Sequence, residues 1–212
     1  MLRRLGADAV EVRKAEELEG LDGLVVPGGE STTFVRLMRI YGLDEALRRF
    51  QGPVLGTCAG MIVLGRDHLG LVDTSVDRNA FGRQVFSFEA DVDLADDDES
   101  LRGVFIRAPR LREAGPGVEV LGELDGEPVL LRQGRFLVAS FHPELTDDTR
   151  VHERFLELVE ERRRSRPAGA PLAKEASGRR AGQYNEVRPS ADRAVSCRER
   201  RQPAAEAGFA GL

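Results

Sequence analysis

Several things are scarce in this chain of 212 residues: it has no tryptophan, two cysteines and three histidines. The cysteines, Cys58 and Cys197, sit in unlike surroundings, one beside an apolar strand and one in a polar tail. That argues against a structural disulfide and for reduced, cytoplasmic chemistry. No apolar run approaches the roughly 18 residues of a membrane span, and no apolar core follows the basic N-terminus as in a secretion signal. Charge is plentiful but unevenly placed. The total is −5, while residues 165–212 hold nine Lys/Arg and five Asp/Glu. The first 164 residues therefore carry about −9 (−5 minus +4), which disfavours nucleic acid as a partner.

What is present is an alternation of strands and helices. Leu2, Leu5 and Gly6 read as a last helical turn and its stop. Five residues are few to nucleate a helix, so the expectation is an α/β domain that lacks its first strand. Ala9–Val12 and Gly23–Val26 read as strands. Thr32–Tyr41 has the 3.6-residue apolar period of a helix, with Ser31 or Thr32 as a possible cap. Asp44–Phe50 is a second helix, Pro53–Gly56 a strand and Ala59–Leu64 a helix. The later half is strand-rich: Val85–Ala90, Val104–Ile106, Val118–Glu123, Val129–Arg132 and Phe136–Phe141. Thr146 can cap a final helix from about Asp147. The pattern predicts a three-layer, doubly wound mixed sheet. The domain spans 1–164, and 165–212 reads as a disordered basic tail, poor in large apolar residues and passive.

Three constellations carry chemistry. Gly56-Thr57-Cys58-Ala59-Gly60 is a glycine–nucleophile–glycine turn between a strand and a helix. Small residues two positions either side let the turn close, and the N–H groups after the cysteine can serve an oxyanion. A buried, inert cysteine is the bland alternative. Ser140-Phe141-His142-Pro143-Glu144 follows the last apolar strand. His142 can act as base and Glu144 can orient it. His68 lies in a charged loop, and His152, one residue past core-facing Val151, reads as surface. A zinc-deaminase reading of His-x-Glu needs a downstream Pro-Cys-x-x-Cys, and no such motif follows. Pro27-Gly28-Gly29-Glu30-Ser31-Thr32-Thr33 is a glycine turn whose N–H groups can meet an oxyanion or carboxylate.

These motifs, with RNAFGRQ at 78–84, SFEAD at 87–91 and GVFIRAP at 103–109, resemble the glutaminase subunits of pyridoxal 5′-phosphate synthase. Those are class I glutamine amidotransferases of flavodoxin-like fold. The resemblance covers roughly Leu5 to Arg163. It implies hydrolysis of L-glutamine to glutamate and ammonia through a Cys58 thioester, with His142 as base and Glu144 as its orienter. It implies a glutamine pocket of Gly29, Glu30, Ser31, Arg78, Ile106 and Arg107, and an oxyanion site at Gly29 and Ala59. It implies no cofactor and no metal. The implied partner is a (β/α)8-barrel synthase subunit in a large hetero-oligomer, which takes the ammonia. Both hydrolase and lyase classes follow from that resemblance. The chain starts after the family's first strand and its segment 66–77 is shorter, so a catalytically impaired partner-binding subunit is the alternative expectation.

Overall fold

The structure, a computed structural model, describes residues 1–78 and 87–165, and the backbone of 194–199. The strands are β1 (Ala7–Val12), β2 (Gly23–Val26), β3 (Val54–Thr57), β4 (Thr74–Asp77), β5 (Phe88–Leu94), β6 (Leu101–Phe105), β7 (Arg110–Ala114), β8 (Glu119–Leu124), β9 (Glu127–Gln133), β10 (Phe136–Ala139) and β11 (Ala194–Glu199). The helices are α1 (Ser31–Ile40), α2 (Leu43–Arg49), α3 (Ala59–Leu64) and α4 (Arg150–Ser165). Nine strands form one sheet in the order β1-β11-β2-β3-β10-β9-β8-β5-β6, and β4 pairs with β7 separately.

The centre of the sheet is parallel. Leu24 and Phe136 both face Val54 in register, so β3 lies between β2 and β10. All four residues of each of these three strands are buried. The sheet is thus covered on both faces, as continuous apolar strands require. The two-residue side-chain period divides the core in two. Leu24, Val26, Val54, Phe136 and Val138 pack with Phe34, Val35 and Met38 of α1, Leu47 of α2 and the apolar residues of α3. Val25, Leu55, Leu137 and Ala139 pack with Val151, Phe155, Leu158 and Val159 of α4. This is the three-layer α/β architecture expected.

Most boundaries lie within a few residues of expectation, and α3 spans the expected Ala59–Leu64. The strand expected from Val85 starts at Phe88; residues 79–86 lie outside the described residues. The β4–β7 pair is not foreseen by the sequence pattern, because Thr74–Asp77 and Arg110–Ala114 are too polar to read as strands. Thr146 does not cap the last helix. Its hydroxyl donates to the Pro143 carbonyl at 3.2 Å, and the helix begins at Arg150, where the Thr149 hydroxyl donates to Glu153 at 2.7 Å. Of the tail, Ala194–Glu199 is a strand, antiparallel to both β1 and β2. The rest lies outside the described residues.

The turn between β3 and α3 rests on a contact without slack. A Cβ placed on Gly60 would lie 2.0 Å from the Val26 carbonyl oxygen, and one on Gly56 would lie 2.9 Å from the Gly60 carbonyl carbon. Both obstacles are backbone atoms that cannot rotate away. Gly60→Ala is therefore expected to lower stability by about 1–3 kcal/mol or more, the range for overpacking. Urea unfolding of the variant against the parent checks it; an unchanged midpoint would show that the turn has room.

Candidate active site

The carboxyl ends of β2, β3 and β10 lie side by side, and each is followed by one of the three motifs. Ligand sites of open α/β sheets gather at such ends. At the end of β3 the chain turns sharply into α3, and Cys58 occupies the turn with φ 48 and ψ −105. A positive φ is costly for a residue with a Cβ and persists only where its surroundings enforce it. Two constraints are visible. The Cys58 N–H donates to the Ala139 carbonyl at 2.8 Å, tying the turn to β10. The Gly56–Gly60 packing closes it from the other side. The thiol ends 3.6 Å from the Ile106 carbonyl oxygen. Cys58 is buried, 6% exposed.

The imidazole comes from β10. After Ala139 the chain passes through Ser140 and Phe141 to His142, whose N–H donates to the Val104 carbonyl at 2.8 Å. Pro143–Leu145 then form a single 3-10 turn. That turn returns Glu144 to the ring: Nδ1 of His142 lies 2.8 Å from Oε1 of Glu144. Burial alone would favour the neutral ring. Hydrogen bonding with Cys58 and with Glu144, and the charges of both, outweigh it and push the imidazole up to about 10. The protonated form of the ring is thus favoured where it sits between Cys58 and Glu144.

Gly28 explains how the ring fits. A Cβ there would lie 2.3 Å from Cε1 of His142 and 3.0 Å from Nδ1. The first glycine of the motif makes room for the imidazole, a role that its sequence context does not announce. Gly29 follows with φ 153, a conformation that side chains rarely adopt. Glu30, not Ser31 or Thr32, caps α1. Its carboxylate accepts from the N–H groups of Thr32 at 3.0 Å and Thr33 at 2.7 Å. The Thr33 hydroxyl and the N–H groups of Thr33 and Thr32 hold that carboxyl down at about 2. A longer acidic side chain can cap where the helix starts one residue earlier than the apolar period indicates. Ser31 is buried.

Arg78 reaches the same turn. Its guanidinium donates to the Thr32 hydroxyl at 3.0 Å and lies 3.7 Å from Glu30. Only this first residue of the RNAFGRQ motif lies within the described residues. Ile106 and Arg107 arrive from β6, at the far edge of the sheet. They reach the site because β6 hydrogen-bonds to His142 and because Phe105 packs against Phe141, ring centroids 5.4 Å apart. Arg107 has φ 47, a second strained residue next to the carbonyl that faces the thiol. The geometry therefore brings Cys58, His142, Glu144 and the Ile106 carbonyl together, and joins Arg78 to the Gly29–Glu30–Ser31 turn. It leaves Arg107 exposed.

His152 departs from expectation. It is 4% exposed rather than on the surface, and its Nδ1 has no hydrogen-bond partner. The first turn of α4 is pressed against the sheet by Val151 and Phe155, and the imidazole goes under with them. The 3.6-residue period marks Val151 as inward but cannot show how wide the buried stripe is.

An open α/β sheet bearing a cysteine elbow, with an imidazole–carboxylate pair just past the adjoining strand, is an arrangement that cysteine hydrolases use. Residues 1–161 match the model of the SNO glutamine amidotransferase family, and the chain belongs to that family. It is 52% identical over 169 residues to the pyridoxal 5′-phosphate synthase subunit PdxT of Thermosipho africanus, covering 75% of this chain and 90% of that one. The subunit of the same name from Thermus thermophilus is 54% identical over 173 residues, covering 74% and 88%. A crystal structure of a glutamine amidotransferase is 51% identical, with a TM-score of 0.71 over 75% of this chain and 90% of that one. A putative GMP synthase subunit from Thermoplasma acidophilum shares the fold at 17% identity, with a TM-score of 0.61 over 77% and 86%. The lyase class expected beside the hydrolase class is overturned by this family. A glutaminase subunit breaks its C–N bond by adding water and eliminates nothing.

The buried His152 yields a stability prediction. Burial lowers its imidazole from 6.5 to about 4, against the opposing charge of Glu144. A base whose folded value is depressed gives full stability above its unfolded value and loses it as pH falls toward the folded one. The window is therefore pH 6.5 down to 4, and the full cost is on the order of 3 kcal/mol. His152→Leu is expected to flatten this acid slope. Urea midpoints at pH 4.5 and 7.5 measure it; an unaltered slope would place the titration elsewhere.

Proposed function

We propose that Cys58, His142 and Glu144 are the nucleophile, proton carrier and orienting carboxylate of glutamine hydrolysis. The chain hydrolyses L-glutamine to L-glutamate and ammonia, which serves pyridoxal 5′-phosphate synthesis. The observation that carries the residue roles is the meeting of the Cys58 turn and the His142–Glu144 pair at the ends of two adjacent parallel strands.

The sulfur attacks the side-chain amide carbon. The carbonyl oxygen becomes an oxyanion, met by the N–H groups of Gly29 and Ala59. The protonated imidazole gives its proton to the departing nitrogen, and ammonia leaves behind a glutamyl thioester on Cys58. His142, now neutral, takes a proton from water, which adds to the thioester and releases glutamate and the thiol. Glu144 stabilises the imidazolium whenever it forms. Gly29, Glu30, Ser31, Arg78, Ile106 and Arg107 hold the amino-acid end of the substrate. A guanidinium suits a carboxylate through paired hydrogen bonds. The Arg78–Glu30 pair, exposed on both sides, is weak enough for a substrate carboxylate to replace.

The chain acts as a subunit beside the synthase subunit of pyridoxal 5′-phosphate synthase. That partner is a (β/α)8 barrel in a large hetero-oligomer, and it receives the ammonia directly. No metal or cofactor takes part in the amide hydrolysis. The compartment is the cytoplasm; no described helix is long and apolar enough to cross a membrane. The alternative of a catalytically impaired subunit draws no support from the relatives.

Two substitutions test the roles. Cys58→Ala is expected to cut glutamate release by about a thousandfold or more while leaving binding to the synthase partner intact. Retained ammonia release would remove Cys58 as nucleophile. Arg78→Ala is expected to raise KM for glutamine by roughly tenfold with little change in kcat, the signature of lost ground-state binding. A fall in kcat at constant KM would instead give Arg78 a role in the chemical step.

A further inference from the structure

The far end of β10 from His142 holds a guanidinium that no carboxylate answers. Only Gly134 and Arg135 join β9 to β10. Gly134 takes the left-handed φ of 56, and Gln133 pairs with Phe136 across the turn. Arg135 is held firmly there. Its carbonyl accepts the Val54 N–H at 3.0 Å, and its Nη1 donates to the Gly52 carbonyl at 2.8 Å. Its guanidinium carbon lies 4.3 Å from the centroid of the Phe136 ring.

A guanidinium offers its N–H groups as a rigid fork, and the Gly52 bond uses one of them. Among the described residues no carboxylate pairs with Arg135. Burial, and then the like charge of Arg162, hold its pKa below the usual arginine value. A half-buried cation beside a second cation is costly unless an anion joins them.

A cavity of about 440 Å³ opens beside it, lined by Arg66, Asp73, Gln133, Gly134, Arg135 and Phe136 among others. That is within the size range of small-molecule sites. The Gln133 Oε1 accepts the Asp73 N–H at 2.7 Å, which leaves the amide nitrogen of Gln133 free to donate. The carboxylates nearby are already engaged. Arg66 bonds to Asp73, and to Glu113 at 3.0 Å. Arg66, Arg135 and Arg162 set against Asp73 and Glu113 leave one positive charge (+3 minus 2).

We propose that this cavity is a binding site for a small phosphate monoester, independent of the glutamine site. The phosphate oxygens take the free N–H groups of Arg135 and the amide of Gln133, and Arg162 adds its charge. A phosphate monoester carries close to two negative charges at neutral pH, matching two arginines that lack a carboxylate. A carboxylate ligand would match only one. The rest of the ligand fills the remaining space, where the Asp73 carboxylate can accept a hydroxyl.

Calorimetric titration of the full-length chain with glycerol 2-phosphate, at constant ionic strength, tests the site. Binding is expected with a Kd on the order of 1 mM or tighter, and at least about tenfold more weakly for acetate and glycerol. Arg135→Gln is expected to weaken binding about tenfold or more, the loss of a charge-assisted hydrogen bond. Arg162→Gln, on an exposed part of α4, is expected to weaken it about threefold by removing a neighbouring charge. Urea midpoints show whether each variant is folded; if Arg135→Gln is not, the Arg162→Gln result decides. No binding of glycerol 2-phosphate by the parent overturns the proposal. Parental affinity in the folded variants also overturns it and puts the anion elsewhere, Arg78 included. Acetate binding as tightly as glycerol 2-phosphate would reduce the site to unselective charge attraction, and the proposal would fall.

Discussion

The site depends on the packing of Gly60 against the Val26 carbonyl. This contact brings the start of α3 onto β2 and leaves the chain no path out of β3 but a sharp turn. Cys58 takes the strained conformation at its apex. The strain is stored in backbone held from three directions: the Val26 carbonyl, the Leu64 side chain under Gly56, and the hydrogen bond from Cys58 to Ala139. A cysteine so placed cannot relax into the core, which distinguishes it from a merely buried thiol.

The same economy of space sets the electrostatics. His142 fits because Gly28 has no side chain, and the ring is then enclosed enough for burial to oppose its charge. Its contacts with Cys58 and Glu144 overcome that opposition. Neither would suffice from a distance; Glu144 reaches Nδ1 because Pro143 and the following turn fold the chain back within two residues. The edge strand β6 completes the arrangement. By accepting the His142 N–H at Val104 and packing Phe105 at a tilt against Phe141, it carries the Ile106 carbonyl to the sulfur. A residue remote in the sheet thus becomes a neighbour of the Cys58 thiol.

How legible this was depends on the range of the cause. The elbow was visible at Gly56–Gly60 because its requirement is local: small residues at fixed offsets around one nucleophile. The helix α3 and the buried strands β2 and β10 were visible for the same reason, since their apolar runs have few other uses. The His142–Glu144 pair was readable as neighbours in sequence. What was hidden depends on contacts between distant segments. Gly28 appears as a flexible turn residue until the ring of His142 is laid beside it. The burial of His152 depends on how deeply α4 presses into the sheet. The β4–β7 pair depends on its partner strand, since neither sequence is apolar enough to announce itself.

The parts of the site do not all rest on the sheet in the same way. Cys58 follows β3 and His142 follows β10, strands flanked on both sides by other members of the parallel centre or by β9. The Gly28–Gly29 turn follows β2, which has β3 on one side and β11 on the other. The turn that makes room for the imidazole thus leaves a strand that borders the parallel centre on one side alone. Cys58 and His142 are therefore anchored from strands of the parallel centre, while the Gly28–Gly29 turn is anchored there on one side only.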